Sequence, residues 1–141
     1  MACFLVGTAE AIVVTAVAQA VKKNEQAKDA EIKAKQGSAA LEAIHEKQGI
    51  AWSRKLMWLA YLLWGGALLL AYEHVWHGEV VPWFPFLTAM EDPGDTAEML
   101  HEMATIGVTM CCIVTAVWAG ICVAADAIVK RVRPSGPAAT V

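Results

Sequence analysis

Two short stretches of the sequence place glutamate and histidine at the spacing of a shared helix face. Glu73 precedes His77 by four residues, and Glu98 precedes His101 by three. Residues at these separations lie side by side on one face of a helix. Glu-x-x-His is also the ligand spacing of carboxylate-bridged di-metal sites in helical bundles. Imidazole combined with carboxylate suits Zn, Mn or Fe, so these four residues are the primary candidates for a metal site.

Further donors flank both pairs. His74 follows Glu73, and Glu102 follows His101. Met99 and Met103 are one helical turn apart and would add the soft ligands that Cu(I) prefers. These four residues are secondary candidates. The alternative is that all of these side chains mark wet helix ends, where histidines make hydrogen bonds, contact lipid headgroups or titrate near pH 6.5.

Glu10 is a separate candidate for proton or ion chemistry within a membrane. It lies about halfway through an apolar segment, 2–21, and none of the apolar segments contains a Lys or Arg that would pair with it. Ionised carboxylates are costly there, so such residues face the bundle interior and mark ion or proton paths. The structural alternative is a protonated Glu10 bound to a hydroxyl group, for which the candidates are Thr8, Tyr61, Thr109 and Thr115.

These residues have to be positioned by membrane-spanning helices. The chain has 141 residues and is 57% hydrophobic, above the roughly 45–50% apolar content of soluble domains. Residues 2–21 carry a single charge, whereas 56–72 and 104–125 carry none. About 17–25 apolar residues cross a bilayer. We therefore predict an all-α integral membrane protein, one domain over 1–141, with transmembrane helices at 2–21, 54–73 and 102–126.

The positive charges indicate how these helices are oriented. All 11 Lys and Arg residues fall either between Lys22 and Lys55 or in the group of Lys130, Arg131 and Arg133. Short cationic loops stay on the cytoplasmic side of a membrane. The distribution predicts an N-terminus outside, a C-terminus inside and a multi-pass protein of the cell inner (plasma) membrane.

The same topology assigns the connecting segments. Residues 22–53 become a charged cytoplasmic helical connector, and 127–141 become a cytoplasmic tail. Residues 74–101 form an outer loop, with an interfacial piece at 80–90 in which prolines forbid a continuous helix.

Two residues carry local expectations near the basic segments. Gly37 should break the connector, which is either a helical hairpin or a partly disordered loop. Asp126 stands four residues before Lys130, so we expect an ion pair along one helix face.

One alternative concerns the first apolar segment. Ala18-Gln19-Ala20 resembles the small-x-small cleavage site of a secretory signal. Such a signal has a cationic start, whereas this sequence starts Met-Ala-Cys-Phe. Cleavage would also leave the cations of 22–55 outside. We therefore expect this segment to remain as a helix.

Small residues recur every four positions in the predicted spans and indicate helix contacts. Small residues at this interval let backbones approach closely in lipid. Such faces serve either contacts within the chain or contacts with copies or a larger complex. They are Gly7 with Ala11, Ala16 with Ala20, and the series Cys112, Ala116, Gly120 and Ala124.

These patterns together predict a small polytopic membrane protein. We expect an oligomer or accessory subunit that binds or helps to move a divalent metal cation (Zn, Mn, Fe or Cu) or a proton through the outer His/Glu cluster. The alternative is a structural or assembly subunit of a larger membrane complex without a metal site, and the lesser alternative is a di-metal membrane enzyme.

The expected partners are the lipid bilayer and either copies of the chain or a larger membrane complex. Nucleic acid is not expected, since the segment between the second and third spans carries carboxylates and no cation. The sequence also lacks a phosphate-binding glycine loop, a nucleophile elbow and a Cys-x-x-Cys pair, which argues against a self-contained enzyme for a soluble substrate.

Overall fold

The chain folds into helices of very different lengths. A computed structural model describes residues 2–132, apart from the side chains of 46–48. The elements, in chain order, are α1 (Phe4–Gln36), α2 (Ser38–Gln48), α3 (Trp52–Trp76), a 3-10 turn (Thr88–Met90), α4 (Pro93–Glu102), a π-helical segment (Met103–Gly107) and α5 (Val108–Val132).

Three helical stretches are long and apolar enough to cross a membrane. They are Phe4–Gln36, Trp52–Trp76 and the continuous stretch Pro93–Val132, which joins α4, the π-helical segment and α5. The prediction of an all-helical chain with three candidate spans is therefore confirmed for the described residues. The N-out, C-in orientation stays a prediction, and residues 133–141 of the predicted tail lie outside the described residues.

Helix α1 is longer than its apolar part. Its 33 residues rise about 50 Å at ~1.5 Å per residue, beyond the ~30 Å hydrocarbon core. The polar half of α1, from Lys22 onward, therefore projects past the apolar half as the first part of the connector. The helix ends at Gly37, whose φ of 87° is a conformation that favours glycine, and α2 begins at Ser38. The break thus falls where the sequence predicts it.

Helix α4 begins within the segment predicted as an outer loop. Asp92 caps it, because its side chain accepts hydrogen bonds from the backbone N–H groups of Gly94 and Asp95. Pro93 occupies the first turn, where its missing N–H costs nothing. Before it, Val80 and Leu87 form an isolated antiparallel bridge.

Small side chains bring α1 and α3 together. Ala11 and Ala18 of α1 are fully buried, and Ala67 of α3 is only 5% exposed. A Cβ atom on Gly7 would lie 3.8 Å from the Cβ of Ala67, which is ordinary van der Waals contact. Close backbone approach of this kind is how helices associate in lipid.

The core of the bundle forms at this contact. Ala11 packs with Leu59 and Leu63 of α3. Four partly buried side chains from α1, α3 and α5 pack around these residues, namely Val14, Trp64, Val114 and Trp118. The indole N–H of Trp64 donates to the Thr15 hydroxyl group at 3.1 Å, so its polar atom is satisfied inside the apolar bundle.

A cross-helix ion pair replaces the one expected from the sequence. Asp126 bonds to Lys55 of α3, Oδ2 to Nζ 2.7 Å, rather than to Lys130 one turn along α5. The Lys55 side chain is only 10% exposed, and a buried cation needs a counter-charge far more than an exposed one does. The indole N–H of Trp118 also donates to the Lys55 carbonyl at 2.7 Å.

Most of the apolar surface faces outward. In the most apolar window of each span only 11%, 22% and 17% of residues are buried within the chain. Large exposed side chains such as Leu69 and Val123 account for this surface. The small-residue series of α5 also lies on the exposed side: Cys112, Ala116, Gly120 and Ala124. Within the described residues, the chain therefore packs Gly7 and Ala11 of α1 against α3, whereas Ala16 and Ala20 of α1 are exposed, as is the α5 series.

The contact at Ala11 can be tested by enlarging its side chain. We expect Ala11→Leu to lower the free energy of unfolding by about 1–3 kcal/mol, because extra methylene groups in a packed core force side chains and backbone to shift. The measurement is thermal unfolding in detergent, followed by circular dichroism. Ala9→Leu is the matched control, since Ala9 lies on the same helix but is exposed. Equal stability of the two variants would contradict close packing at Ala11.

Candidate functional site

The first predicted pair, Glu73 and His77, lies at the end of α3. Both side chains are exposed. The Nδ1–H group of His77 donates to the Glu73 backbone carbonyl at 2.9 Å, and the His77 backbone N–H bonds to the same oxygen. His77 thus caps the last turn of α3, where a helix has carbonyl groups without intrahelical donors.

The second predicted pair, Glu98 and His101, lies on α4, and both residues are exposed. Glu98 borders a groove of about 300 Å³, together with Asp95 and Glu102. Met99 borders the same groove and is buried to within 6%. The groove therefore gathers three carboxylate residues on one helix face at what we call the acidic end of the bundle, the end formed by the start of α1 and the end of α3.

The two pairs are not brought together in one copy of the chain. Helix α3 contacts α1 and α5, but it has no contact with α4. The start of α1 lies against the π-helical segment instead, where a Cβ atom on Gly107 would lie 3.0 Å from Val6 Cγ2. Among residues 2–132, no group of three His, Cys, Asp or Glu side chains is arranged to hold a metal ion. The metal site therefore stays a prediction. In one copy of the chain, the pair on α3 and the pair on α4 lie apart.

His74 serves the interior of the acidic end. It is buried, and its Nδ1–H group donates to the Leu70 carbonyl at 2.6 Å. Its Nε2 lies 3.7 Å from a Glu79 carboxylate oxygen, and the Phe4 ring meets the imidazole edge-on at 5.4 Å. Both ring nitrogens thus face polar atoms, as buried imidazoles require, and His74 joins the end of α3 to the start of α1.

Glu102 and Met103 stand where α4 passes into the π-helical segment. Both are partly buried. Glu102 Oε2 is buried and receives no hydrogen bond from the part of the chain that the structure describes. A buried acceptor without a donor carries its desolvation cost uncompensated. Among the predicted metal candidates, Glu102 is therefore the one with an unmet need for a donor or a cation.

Glu10 belongs to α1, and its side chain meets α5 inside the apolar bundle. The hydroxyl group of Thr115 donates to Glu10 Oε1 at 3.1 Å, and the Cys111 thiol lies near the same carboxyl group. Of the four hydroxyl groups proposed from the sequence, Thr115 is thus the partner. Thr8 and Thr109 bond instead to carbonyl groups one turn back in their own helices, the usual solution for threonine inside a helix.

The register between α1 and α5 explains why Thr115, of the candidate hydroxyl groups, bonds to Glu10. Gly107 lies beside Cys3 and Val6, so α1 and α5 start level at the acidic end. The two helices run in the same direction and rise equally per residue. Moving two turns along each of them from this contact brings Glu10 beside Thr115.

The cysteines are free thiols throughout the described chain. Cys122 is buried, as is usual for a free cysteine that packs as a small apolar side chain. Cys111 has the additional contact with Glu10, and only the register of α1 and α5 reveals it. Cys112, its neighbour, points to the exposed side.

The Glu10 carboxyl group has uncharged neighbours in the bundle. They are the Thr115 hydroxyl group and the Cys111 thiol, and the apolar segments contain no Lys or Arg. An ionised carboxylate at this position would therefore rely on hydrogen bonds alone.

Comparison of the chain with protein-family models, characterised proteins and solved structures gives no match. The functional interpretation therefore rests on the geometry of these sites.

The roles of the histidines can be separated by substitution. We expect His74→Ala to lower the free energy of unfolding by about 1–3 kcal/mol, because it removes a buried hydrogen bond and the Phe4 contact. The control is His77→Ala combined with His101→Ala, which changes exposed side chains and should cost less, about 0.5–1 kcal/mol, because it removes only the exposed hydrogen bond from His77 to the Glu73 carbonyl. Unfolding is measured in detergent on untagged protein, with elemental analysis of the same samples. Loss of a stoichiometric metal in the double variant would show that the exposed histidines bind it.

Proposed function

We propose that the protein is a small polytopic membrane subunit that moves protons across the bilayer as part of an oligomer or larger assembly, with Glu10 as the group that takes up and releases the proton. The observation that carries the proposal is the Glu10 carboxyl group held between α1 and α5 by Thr115, at 3.1 Å, within a helix apolar enough to span a membrane. Isolated intramembrane carboxyl groups in such surroundings commonly mark proton or ion paths.

The ligand set at Glu10 favours a proton over a divalent metal. Metal ions in proteins are held by several ligands in a defined geometry, commonly four around Zn²⁺. Glu10 offers one carboxyl group, with the Thr115 hydroxyl as its hydrogen-bond donor and the Cys111 thiol nearby. A hydroxyl donor can follow either protonation state of the acid, since it rotates to donate to the carboxylate or to accept from the carboxylic acid.

An assembly is part of the proposal because one copy leaves most of its apolar surface uncovered. In the most apolar window of each span only 11%, 22% and 17% of residues are buried within the chain. The exposed small-residue series of α5 supports contact with another helix, since Gly120 has open space where a Cβ atom would lie. Small residues at four-residue intervals are what close helix pairs use in lipid.

Charge distribution supports a direction for the path. The N-out, C-in orientation in the inner membrane would place the acidic groove of Asp95, Glu98 and Glu102 on the outer side. Carboxylates without neighbouring cations raise the local concentration of protons and other cations. Glu10 would then exchange its proton between this end and the end carrying Lys55 and Arg54.

Cation binding at the acidic end is a second candidate function. It is favoured by the groove of about 300 Å³ and by the buried Oε2 of Glu102, which has no donor among the described residues. In an assembly, the separate halves Glu73 with His77 and Glu98 with His101 would come from neighbouring copies. Zn, Mn, Fe and Cu remain the candidate ions.

The proton function is tested by Glu10→Gln in reconstituted vesicles. We expect the substitution to abolish proton uptake driven by a membrane potential, because the amide cannot carry the proton, while the amount of inserted protein is unchanged. Uptake is followed with a pH-sensitive dye inside the vesicles. Thr8→Val is the matched control, because Thr8 lies on the same helix and bonds only to the Phe4 carbonyl.

Unchanged uptake in Glu10→Gln would remove Glu10 from the mechanism. The structural or assembly subunit would then be the better description of the protein. Thr115→Val should fall between the two variants, since it leaves the acid in place and removes its donor.

The assembly is tested by Gly120→Leu. We expect this variant to lower the oligomeric mass measured by light scattering in detergent, because a large side chain would hold two helices apart. Ala119→Leu is the matched control, since Ala119 is also exposed but lies outside the small-residue series. The same mass for both variants would show that this face of α5 contacts lipid.

A further inference from the structure

A second cavity lies at the opposite end of the bundle, which we call the basic end because Arg54, Lys55, Lys130 and Arg131 gather there. The polar half of α1, the end of α2 and the start of α3 enclose a space of about 690 Å³, within the range of small-molecule sites. Its lining includes Glu25, Asp29, His45, Trp52, Arg54 and Val129. The cavity shares no residue with the Glu10 site.

The two carboxylates of the cavity are fixed in place. Glu25 accepts hydrogen bonds from the hydroxyl group and the backbone N–H of Ser53, at 2.5 Å and 3.3 Å. Asp29 accepts from His45 Nε2 at 3.0 Å. Each of these bonds joins α1 to a different segment, so both acids are oriented before any ligand arrives. Each still has oxygen lone pairs for a further donor.

Arg54 differs from both acids because its guanidinium group is uncommitted. The Arg54 side chain is exposed, and its guanidinium group makes no hydrogen bond or ion pair with any other residue that the structure describes. The adjacent Lys55 is committed to Asp126 at 2.7 Å. The cavity therefore presents two held negative groups and one free planar cation that suits phosphate oxygens.

The cavity lies at the depth of lipid headgroups. Arg54 stands within the first turn of α3, directly before the apolar stretch that continues from Leu56. Trp52 is 52% exposed, and tryptophan is enriched at this interface. Ile50 and Val129 add an apolar part to the lining of the cavity. The cavity thus combines polar and apolar walls, as a phospholipid combines a polar headgroup with an apolar remainder.

We propose that this cavity binds the headgroup of a phospholipid that carries a primary ammonium group. Arg54 binds the phosphodiester oxygens, Asp29 and Glu25 accept hydrogen bonds from the ammonium group, and the apolar wall covers the glycerol backbone. A purely anionic headgroup would meet the two carboxylates without a counter-charge. A quaternary ammonium group has no N–H to donate, and the Trp52 ring that would attract it already faces Lys55 Nζ at 5.7 Å.

The bound lipid would add a bridge between the polar half of α1 and the start of α3, which the hydrogen bonds from Ser53 to Glu25 already join. Glu25 and Asp29 belong to α1, and Arg54 belongs to α3, so one headgroup bridges the connector and the second span. This role is independent of proton movement through Glu10, and its test uses no measurement of flux.

Binding is measured by isothermal titration of the full chain in detergent, with short-chain phosphatidylethanolamine, phosphatidylcholine, phosphatidylglycerol and inorganic phosphate as separate probes. We expect wild type to bind the ethanolamine lipid roughly tenfold or more tightly than the other lipids, which corresponds to about 1.4 kcal/mol. Arg54→Gln should weaken this binding about tenfold, as expected when one charged hydrogen-bond donor is lost. Asp29→Asn should remove the preference for ethanolamine over choline.

Lys23→Gln is the matched control for Arg54→Gln, because Lys23 is an exposed cation on α1 outside the cavity lining. Arg54 has no partner among the described residues, so its substitution should leave unfolding unchanged, and a loss of binding then reports on the ligand. Equal binding of the three lipids would overturn the proposal. Equal losses of lipid affinity in Arg54→Gln and Lys23→Gln would also overturn it. Inorganic phosphate binding as tightly as the ethanolamine lipid would identify free phosphate instead and would also overturn it.

Discussion

The close contact between α1 and α3 is the constraint on which the rest of the bundle depends. Lipid tails are as apolar as the side chains, so helices in a bilayer gain little from apolar burial and associate through packing and hydrogen bonds. Ala11 allows α1 to approach Leu59 and Leu63, and at this distance the Trp64 indole reaches Thr15. Larger residues at these positions would separate the two helices and remove the platform on which α5 packs through Val114 and Trp118.

Helix α5 makes polar contacts at two depths in addition to its packing through Val114 and Trp118. Thr115 meets Glu10 inside the bundle, and Asp126 meets Lys55 at the basic end. Hydrogen bonds between buried groups are sensitive to protonation, because a donor suited to a carboxylate must turn when the acid is protonated. Under the proposed function, proton exchange at Glu10 therefore acts at the joint between α1 and α5. The Asp126–Lys55 pair lies far along α5 and would hold its other end in place.

The two ends of the bundle differ in the charges that they carry and in how many of the charged side chains have hydrogen-bond partners. At the acidic end, three carboxylate residues border a groove with no basic residue in its lining, and Glu102 retains a buried oxygen without a donor from the described chain. At the basic end, Glu25 and Asp29 are each held by a partner, while Arg54 is left for a ligand. Under the two proposals, the first arrangement would attract cations, and the second would receive the headgroup of one zwitterionic lipid.

The sequence by itself determined the features that depend on position along one helix. The lengths of the apolar segments predicted three spans, Gly37 predicted the break, and the absence of Lys and Arg from the apolar segments left hydroxyl groups as candidate partners of Glu10. Only the tertiary structure decided that Thr115 is this donor, that Asp126 bonds to Lys55 rather than Lys130, and that the pair on α3 does not meet the pair on α4. The reason is geometric. Periodicity tells which residues share a face of one helix, but the rotation and register between helices depend on packing contacts such as Ala11 on Leu63 and Gly107 on Val6, which residue spacing does not encode.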